Sequence, residues 1–370
     1  MNFDSFLEKV KEHHSLQLPF VMYRHPGEKL VKGQLQPNNI IEYISDFQEK
    51  GFVFAPFNSQ KRAIVFSYAS AEAISVEQES FKVNLKKREY KEEQQEQDRY
   101  ENLINKTIDT IKASGLEKVV ISRKKEIELK TEPFLYFKRL LELYPEAMVY
   151  CWYHPLVGMW IGATPETLVK TEGRRLKTMA LAGTQVFNNT KEVSWKEKEK
   201  EEQAIVTRAI VDGLSQITEV SNLQVGEPHT IRAGNVLHLK TNVSATYEAD
   251  GLKKIIKKLH PTPAVCGLPY EIAYDYILTK ENYDRSYYTG YLGELNFQHT
   301  KNRNPRRRNI ENSAYQSVSK QTNLYVNLRC MQVSDNRLEV YVGGGITKDS
   351  QPKSEWEETQ RKAETMQQVL

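Results

Sequence analysis

Two stretches of this sequence carry paired glutamates at helical spacing. In WKEKEKEEQAIVTRAI, Glu199 and Glu202 stand three positions apart and so share one helix face. In SEWEETQRKAETM the same spacing joins Glu355 to Glu358, and Lys362 follows seven positions after Glu355. Like charges so placed repel mildly, and a divalent cation turns that penalty into ligation. Magnesium takes oxygen ligands in octahedral geometry, usually one or two carboxylates with waters and a substrate oxygen. One carboxylate from each helix therefore leaves positions for an anionic ligand. Taken singly, each pair also reads as a solvated charged face.

Other residues offer acid, base and anion-binding chemistry. In MWIGATPETLV, Glu166 follows a Gly-Ala-Thr-Pro turn between apolar runs. Burial disfavours the charged carboxylate, which suits it to give up a proton near neutral pH; the segment also reads as a helix start after Pro165. Lys118 opens the β-like run KVVISR, where alternation puts Lys118 and Val120 on one face. A free lysine titrates near about 10.4, so service as a base at neutral pH needs burial or a neighbouring cation. The other reading is a strand-edge lysine in solvent. Gly343, Gly344 and Gly345 follow a strand, and backbone without Cβ approaches a ligand and offers it N–H groups, unless they form a plain tight turn. The stretch matches neither G-x-G-x-x-G nor a P-loop, which excludes nucleotide binding there. Arg329, in YVNLRCMQV, reads as an arginine inside an apolar strand, set to pair with a carboxylate. His238 and His260 lie in apolar settings and read as hydrogen-bonded core histidines. The sequence contains no G-x-S-x-G and no H-E-x-x-H.

The elements that must position these residues are legible in outline. With 370 residues the chain forms one large domain or two to three ordinary ones. A net charge of +4 gives no bulk argument for nucleic acid or an acidic membrane. Three well-separated cysteines disfavour a disulfide framework and a zinc site. The N-terminus has an amphipathic helical pattern, with Phe3, Phe6, Leu7 and Val10 on one face, rather than a secretory signal, and no apolar run spans a bilayer. These features point to a cytoplasmic protein. Residues 1 to about 90 mix short β-like runs with turns, and 86 to 112 read as a solvated helix. From 118 strands rich in Val, Ile, Tyr and Trp follow one another. Long helices are expected from about Ser194 to Leu214, after the Pro261–Pro269 segment, and from about Ser354 to Val369. This order predicts an α+β or α/β body with layered sheets. The segment KNRNPRRRNIENS at 301–313 reads as an exposed basic loop between two strands.

In order, KVVISR, GATPETLV, ALAGT, KEKEEQAIV, VLHLKTNVSA, LHPTPAVCGLPYEIA, RSYYTGYLGEL, LYVNLRC and VGGGITKDSQPKSEWEETQRKAETM resemble the chorismate-utilising enzyme family. The resemblance runs from about residue 118 to the C-terminus. It implies an α+β fold in one large domain with layered β-sheets flanked by helices, residues 1–90 forming a variable N-terminal part and 91–370 the catalytic region. It implies Mg²⁺ held directly by Glu202 and Glu358, with Glu199 and Glu355 on its waters. Arg329 and Tyr288 match positions that bind the enolpyruvyl carboxylate. Gly343, Gly345 and Lys362 match further substrate contacts, and Thr184 and His238 lie in the pocket wall. Glu166 matches the general acid that protonates the departing C4 hydroxyl, and Lys118 the general base that activates water for attack at C2.

Within the family, the lysine at 118 is generally missing from members that add ammonia, and aminodeoxychorismate synthases often carry a lysine where this chain has Ala182. The resemblance therefore implies water as nucleophile and isochorismate as product, without a glutamine amidotransferase partner. Salicylate synthases, which add pyruvate elimination, are the alternative, although LHPTPAV favours the isochorismate-forming members. Gln203 stands where histidine often follows the metal glutamate, and Gly344 replaces a usual alanine. The basic 301–313 segment resembles an insertion found in some menaquinone-pathway members. We expect a monomer that binds no nucleic acid and no membrane: Arg306, Arg307 and Arg308 are a local charge without a recognised reader motif.

Overall fold

The computed structural model describes residues 1–81, 94–187, 193–233, 236–248, 250–301, 317–334 and 336–370. The chain begins with α1 (Phe3–Ser15), β1 (Phe20–Arg24), β2 (Leu30–Leu35), β3 (Gly51–Ala55), β4 (Ile64–Ser67), β5 (Glu72–Glu77) and α2 (Gln94–Ala113). Next come β6 (Lys118–Glu128), α3 (Pro133–Leu143), β7 (Met148–His154), β8 (Gly158–Thr164), β9 (Thr167–Glu172), β10 (Arg175–Val186) and α4 (Glu197–Ser215). There follow β11 (Val220–Val225), β12 (His229–Ala233), β13 (Val236–Tyr247), α5 (Leu252–Leu259), β14 (Gly267–Leu268) and α6 (Tyr270–Lys280). The chain closes with β15 (Tyr291–Lys301), β16 (Ser317–Val326), β17 (Cys330–Ser334), β18 (Arg337–Ile346) and α7 (Pro352–Gln367).

Two antiparallel sheets face each other. The first runs β14-β6-β18-β17-β8-β7-β1-β2-β5, and the second β11-β13-β10-β9-β16-β15-β3-β4, with β12 on β13. The early strands β1 to β5 are divided between both sheets. Strand alternation explains the layering. On β7, Met148, Tyr150 and Trp152 enter the aromatic layer between the sheets, while Val149, Cys151 and Tyr153 face α1 and α3 outside. The run is continuously apolar because both faces are covered. The second sheet buries its outer face under α4 and α5 through Val206, Ile210, Leu214, Ile255 and Ile256. The helices α2, α6 and α7 cover the β6–β18 end of the first sheet. The α+β expectation, layered sheets flanked by helices, is met. No helix among the described residues is long and apolar enough to cross a membrane.

The sequence reading needs four corrections. The helix of 86–112 runs from Gln94 to Ala113 in its described part and is not simply solvated: Tyr100, Ile104, Thr107, Ile108 and Ile111 are buried. The three glycines lie within β18 rather than after a strand, paired with Ser122, Ile121 and Val120 of β6. Arg329 sits between β16 and β17 with φ of 47°, outside any strand. Glu166 joins two strands and starts no helix. Residues 86–93 and most of the basic 301–313 segment, including Arg306 to Arg308, lie outside the described residues.

Candidate active site

The site is built where two chain segments pass together from one sheet to the other. The strand β8 belongs to the first sheet and β9 to the second, with Pro165-Glu166 between them. The strand β16 belongs to the second sheet and β17 to the first, with Asn327-Leu328-Arg329 between them. The two crossings are laced to each other: Ala163 N–H donates to the Arg329 carbonyl at 3.0 Å, Val326 N–H to the Glu166 carbonyl at 3.0 Å, and the Thr164 hydroxyl to the Val326 carbonyl at 2.6 Å. Positive φ in a non-glycine residue carries strain that the surrounding contacts hold in place. Arg329, so held, is half-buried and lines the site.

On the neighbouring strands, β6 carries Lys118 and β18 carries the glycines. A Cβ on Gly345 would come within 2.8 Å of Lys118 Cε and 3.2 Å of Glu202 Oε1; one on Gly344 would stand 3.4 Å from Glu355 Oε2. The absence of side chains there lets the α4 and α7 glutamates and the lysine approach the strand. A bulge at Gly183 in β10, where φ is 71°, sets Thr184 opposite His238. A Cβ at Gly183 would meet the Glu199 carbonyl at 3.1 Å, so α4 too packs close by virtue of a glycine.

One cavity of about 80 Å³ collects most of the residues singled out from the sequence. Glu166, Thr184, His238 and Tyr288 line it, as do Arg329, Gly343, Gly345 and Lys362, with Glu202 and Glu358 from the two acidic helices. Lys118 is buried and reaches the cavity through Glu202, donating from Nζ to Oε1 at 2.7 Å. Lys362 Nζ bonds Glu358 Oε1 at 2.6 Å and the Gly343 carbonyl at 2.9 Å. Glu199 and Glu355 do not line the cavity; Glu355 is buried beside Gly344, and Glu199 keeps a buried Oε2 that no hydrogen bond satisfies among the described residues.

The electrostatics separate the acids. Burial pushes the Glu166 carboxyl up to about 7, against the opposing pull of Thr262, Arg329 and Lys118. Burial and then the neighbouring Glu358 charge raise Glu355. Burial alone would raise Glu358 too, but Lys362, Arg361 and Lys198 outweigh it and hold that carboxyl below its ordinary value. His238 is driven down to about 3 by burial, then by Arg329 and Lys362, so it is neutral, with Nδ1 3.1 Å from the Gly183 carbonyl and 3.2 Å from Thr184 Oγ1.

Two contributors, Thr262 and Arg285, were not singled out from the sequence, and a third, Gln203, was noted there only as a departure. Thr262 Oγ1 reaches Glu166 Oε1 at 3.5 Å. Arg285 donates from Nε to Glu281 Oε2 at 2.7 Å, from Nη1 to the Val265 carbonyl at 2.9 Å and from Nη2 to the Val120 carbonyl at 2.7 Å. It thereby ties together two segments that line the cavity. Gln203, beside Glu202, donates from Nε2 to the Ala180 carbonyl and to Thr241 Oγ1, both at 3.0 Å, and so anchors α4 to the second sheet. Thr262 falls in the LHPTPAV string, so a short polar side chain in a proline-bounded apolar segment was its available signal. The local hint for Arg285 was Glu281 four positions before it; the Val265 and Val120 carbonyls it also binds lie 20 and 165 positions away.

Comparison with known proteins gives the chain its kin. A family model described as chorismate binding enzyme matches residues 41–302, and a second of the same description matches 313–368. Isochorismate synthase MenF of Escherichia coli (strain K12) is 28% identical over 283 residues, which cover 72% of this chain and 59% of that protein. Vibriobactin-specific isochorismate synthase of Vibrio cholerae is 28% identical over 282 residues, 73% of this chain and 66% of that protein. The chain thus spans roughly three fifths to two thirds of the length of these relatives. Among solved structures, Escherichia coli MenF superposes with a TM-score of 0.74 at 18% identity, covering 95% of this chain and 88% of that one. Anthranilate synthase component I of Streptococcus pneumoniae gives 0.62 at 17% identity, covering 94% and 92%. At these identities the likeness is one of fold. The first family model alone spans more than half of the sequence, and the chain belongs to the chorismate-binding enzyme family.

Proposed function

We propose that this chain is an isochorismate synthase, converting chorismate and water to isochorismate and water. The observation that carries this reading is the buried Glu166 carboxyl, titrating near about 7, in the same cavity as Arg329, Lys362 and the Lys118-paired Glu202. Glu166 retains its proton near neutral pH and gives it to the departing C4 hydroxyl. Lys118 takes a proton from the water that attacks C2. Arg329 and Tyr288 receive the enolpyruvyl carboxylate, and Lys362 with the Gly343–Gly345 backbone holds the rest of the substrate. Neutral His238 and Thr184 form the wall. The cavity is far below the roughly 300 Å³ at which ligand pockets begin, so a ring-sized guest must part the Lys118–Glu202 and Lys362–Glu358 contacts.

The donor set fits a hard divalent cation such as Mg²⁺. Glu202 and Glu358 are its candidate ligands, with Glu199 and Glu355 behind them, and the unsatisfied Glu199 Oε2 is an acceptor awaiting a donor. Among the described residues no three His, Cys, Asp or Glu side chains close into a metal cage; magnesium usually takes one or two carboxylates and keeps several waters. When bound, the ion supplies charge neutralisation and orientation for the ring carboxylate.

The test is product analysis after incubating the protein with chorismate and Mg²⁺. Isochorismate is expected; salicylate with pyruvate identifies a salicylate synthase, and unchanged chorismate refutes both. We place the enzyme in menaquinone supply on the strength of its 301–313 segment, since identity to MenF and to the vibriobactin-specific relative is equal at 28%. Rescue of a menaquinone-deficient strain, and failure to rescue a siderophore-deficient one, is the expected outcome. We further propose that it acts as a cytoplasmic monomer without an amidotransferase, binding neither nucleic acid nor membrane. A two-chain mass by light scattering would overturn the monomer.

A further inference from the structure

Apart from the cavity just described, the molecule has a cleft of about 650 Å³ between α5 and the segments 44–47 and 55–63. Its size lies within the range of small-molecule sites. Four cations reach it, Lys61, Arg62, Lys253 and Lys257, and no Asp or Glu lines it among the described residues. Lys253 and Lys257 are one turn apart on α5 and so present their charges side by side. Three of the four have partial commitments. Lys61 bonds Asp284 at 2.6 Å, Lys253 bonds the Ser45 carbonyl at 3.1 Å, and Arg62 stacks on Tyr43. Such a one-signed rim raises the local concentration of anions.

The inner wall is aromatic, with Phe47, Tyr270, Tyr291 and His260. His260 is 7% exposed, its Nε2 lies 3.1 Å from the Pro56 carbonyl, and its Nδ1 has no partner. With Nε2–H committed to that carbonyl, Nδ1 is a lone-pair acceptor, and burial, opposed by backbone hydrogen bonds at Pro56 and Phe57, pushes the ring's pKa down to about 4. A buried acceptor without a donor is costly. The occupant that answers both halves has phosphates for the rim and a flat ring for the aromatic wall.

We propose that this cleft binds a nucleoside phosphate, its phosphates on Lys253, Lys257, Lys61 and Arg62 and its base against Tyr270, Tyr291 and His260. The cleft and the catalytic cavity have no lining residue in common, but the stretch beginning at His260 runs on to Thr262, which contacts Glu166. It does not depend on the proposed activity, since binding is measured without chorismate.

The experiment is calorimetric titration of the full chain with ADP, pyrophosphate and adenosine, at low salt and without Mg²⁺. ADP binds, at least about tenfold more tightly than either fragment, because each half of the cleft adds its own contacts. Removing both α5 lysines, Lys253→Ala with Lys257→Ala, weakens ADP by about tenfold or more and leaves adenosine unchanged. Tyr270→Ala weakens ADP and adenosine but not pyrophosphate; should that variant fail to fold, the lysine pair decides. Pyrophosphate binding as well as ADP would reduce the cleft to a plain anion patch and overturn the proposal. So would absence of ADP binding, ADP affinity indifferent to the two lysines, or a single-stranded oligonucleotide that outcompetes ADP through the same lysines.

Discussion

Lys118 at the head of β6 and Glu202 on α4 are 84 positions apart in the chain, yet their Nζ and Oε1 atoms meet at 2.7 Å. The ammonium occupies the carboxylate that the proposed metal would claim, so lysine and cation compete for Glu202. Lys118→Ala should lower turnover by at least about 100-fold, as loss of a general base does, while chorismate affinity stays close to wild type. Mg²⁺ affinity without substrate should be unchanged or tighter, as read by calorimetry. Near-normal turnover would remove lysine from the mechanism.

Glu358→Gln removes a carboxylate held below its ordinary range by Lys362. Mg²⁺ should then be needed at higher concentration and chorismate should bind more weakly, the two effects moving together. Steady-state kinetics over a Mg²⁺ series measures both, and an unaltered metal requirement refutes the ligand assignment.

Glu166 titrates near about 7 in the fold against 4.5 for the free side chain. The fold thus favours the neutral acid: its contribution to stability is complete below pH 4.5 and is lost as pH rises through 7. Two consequences follow. Turnover should fall on the alkaline side with an apparent pKa near 7. Glu166→Gln, although inactive, should be more stable than wild type at pH 8 by up to about 3 kcal/mol, measured by urea unfolding. A less stable variant at that pH would contradict the buried neutral acid.

Glu294, between the sheets, has the opposite sign. Burial acts to raise it, but His25, Lys32 and Tyr23 overcome that and bring it to about 2. Its Oε1 accepts from Tyr23 Oη at 2.6 Å and from Lys32 Nζ at 3.0 Å, and Oε2 lies 3.0 Å from His25 Nε2. This stability is present above pH 4.5 and drains away as pH falls from 4.5 towards 2. Glu294→Gln should cost about 3 kcal/mol at pH 7 and flatten the acid limb of a stability-against-pH curve. An unchanged acid limb would show that other groups set it.

Arg285 and Glu281 form an ion pair whose side chains are both 1% exposed. Breaking one partner of such a pair costs about 3–5 kcal/mol, whereas replacing both by apolar residues is often close to neutral. Arg285→Met alone should therefore destabilise strongly, and Arg285→Met with Glu281→Leu should recover part of the loss, the rest being held back by Ser122, whose N–H and hydroxyl donate to Glu281 Oε1 at 2.7 and 2.9 Å. Because Arg285 also ties the Val120 and Val265 carbonyls, the double variant should fold yet turn over more slowly. Full activity in it would make the pair purely structural.

Local periodicity carried much of this molecule in the sequence. The face Phe3, Phe6, Leu7 and Val10 of α1 is the face that is buried. The acidic helices start and stop within three residues of their expected ends. What local pattern could not carry was pairing at a distance. YVNLRC reads as strand because its apolar residues alternate, but the chain changes sheets at Asn327–Arg329, a fact fixed by β8 and β9 crossing beside it. The glycines read as a turn because nothing local shows that Lys118, Glu202 and Glu355 need the space above a strand. Thr262 gains its meaning from a partner 96 positions away, and Arg285 its tie to the cavity wall from one 165 positions away.

The twin crossings have a mechanical consequence. Glu166 and Arg329 each ride on a segment anchored in both sheets, so the spacing of the sheets sets where acid and arginine stand. That spacing is kept by Trp152, Trp160, Phe54 and Tyr150, all fully buried between the layers. The aromatic filling acts as a shim: trimming it far from any substrate would let the layers settle and detune the proton donor. Catalysis is then a gauge of interlayer thickness, and a Trp152→Leu enzyme that stays folded should register the change at Glu166 before it registers it anywhere on the surface.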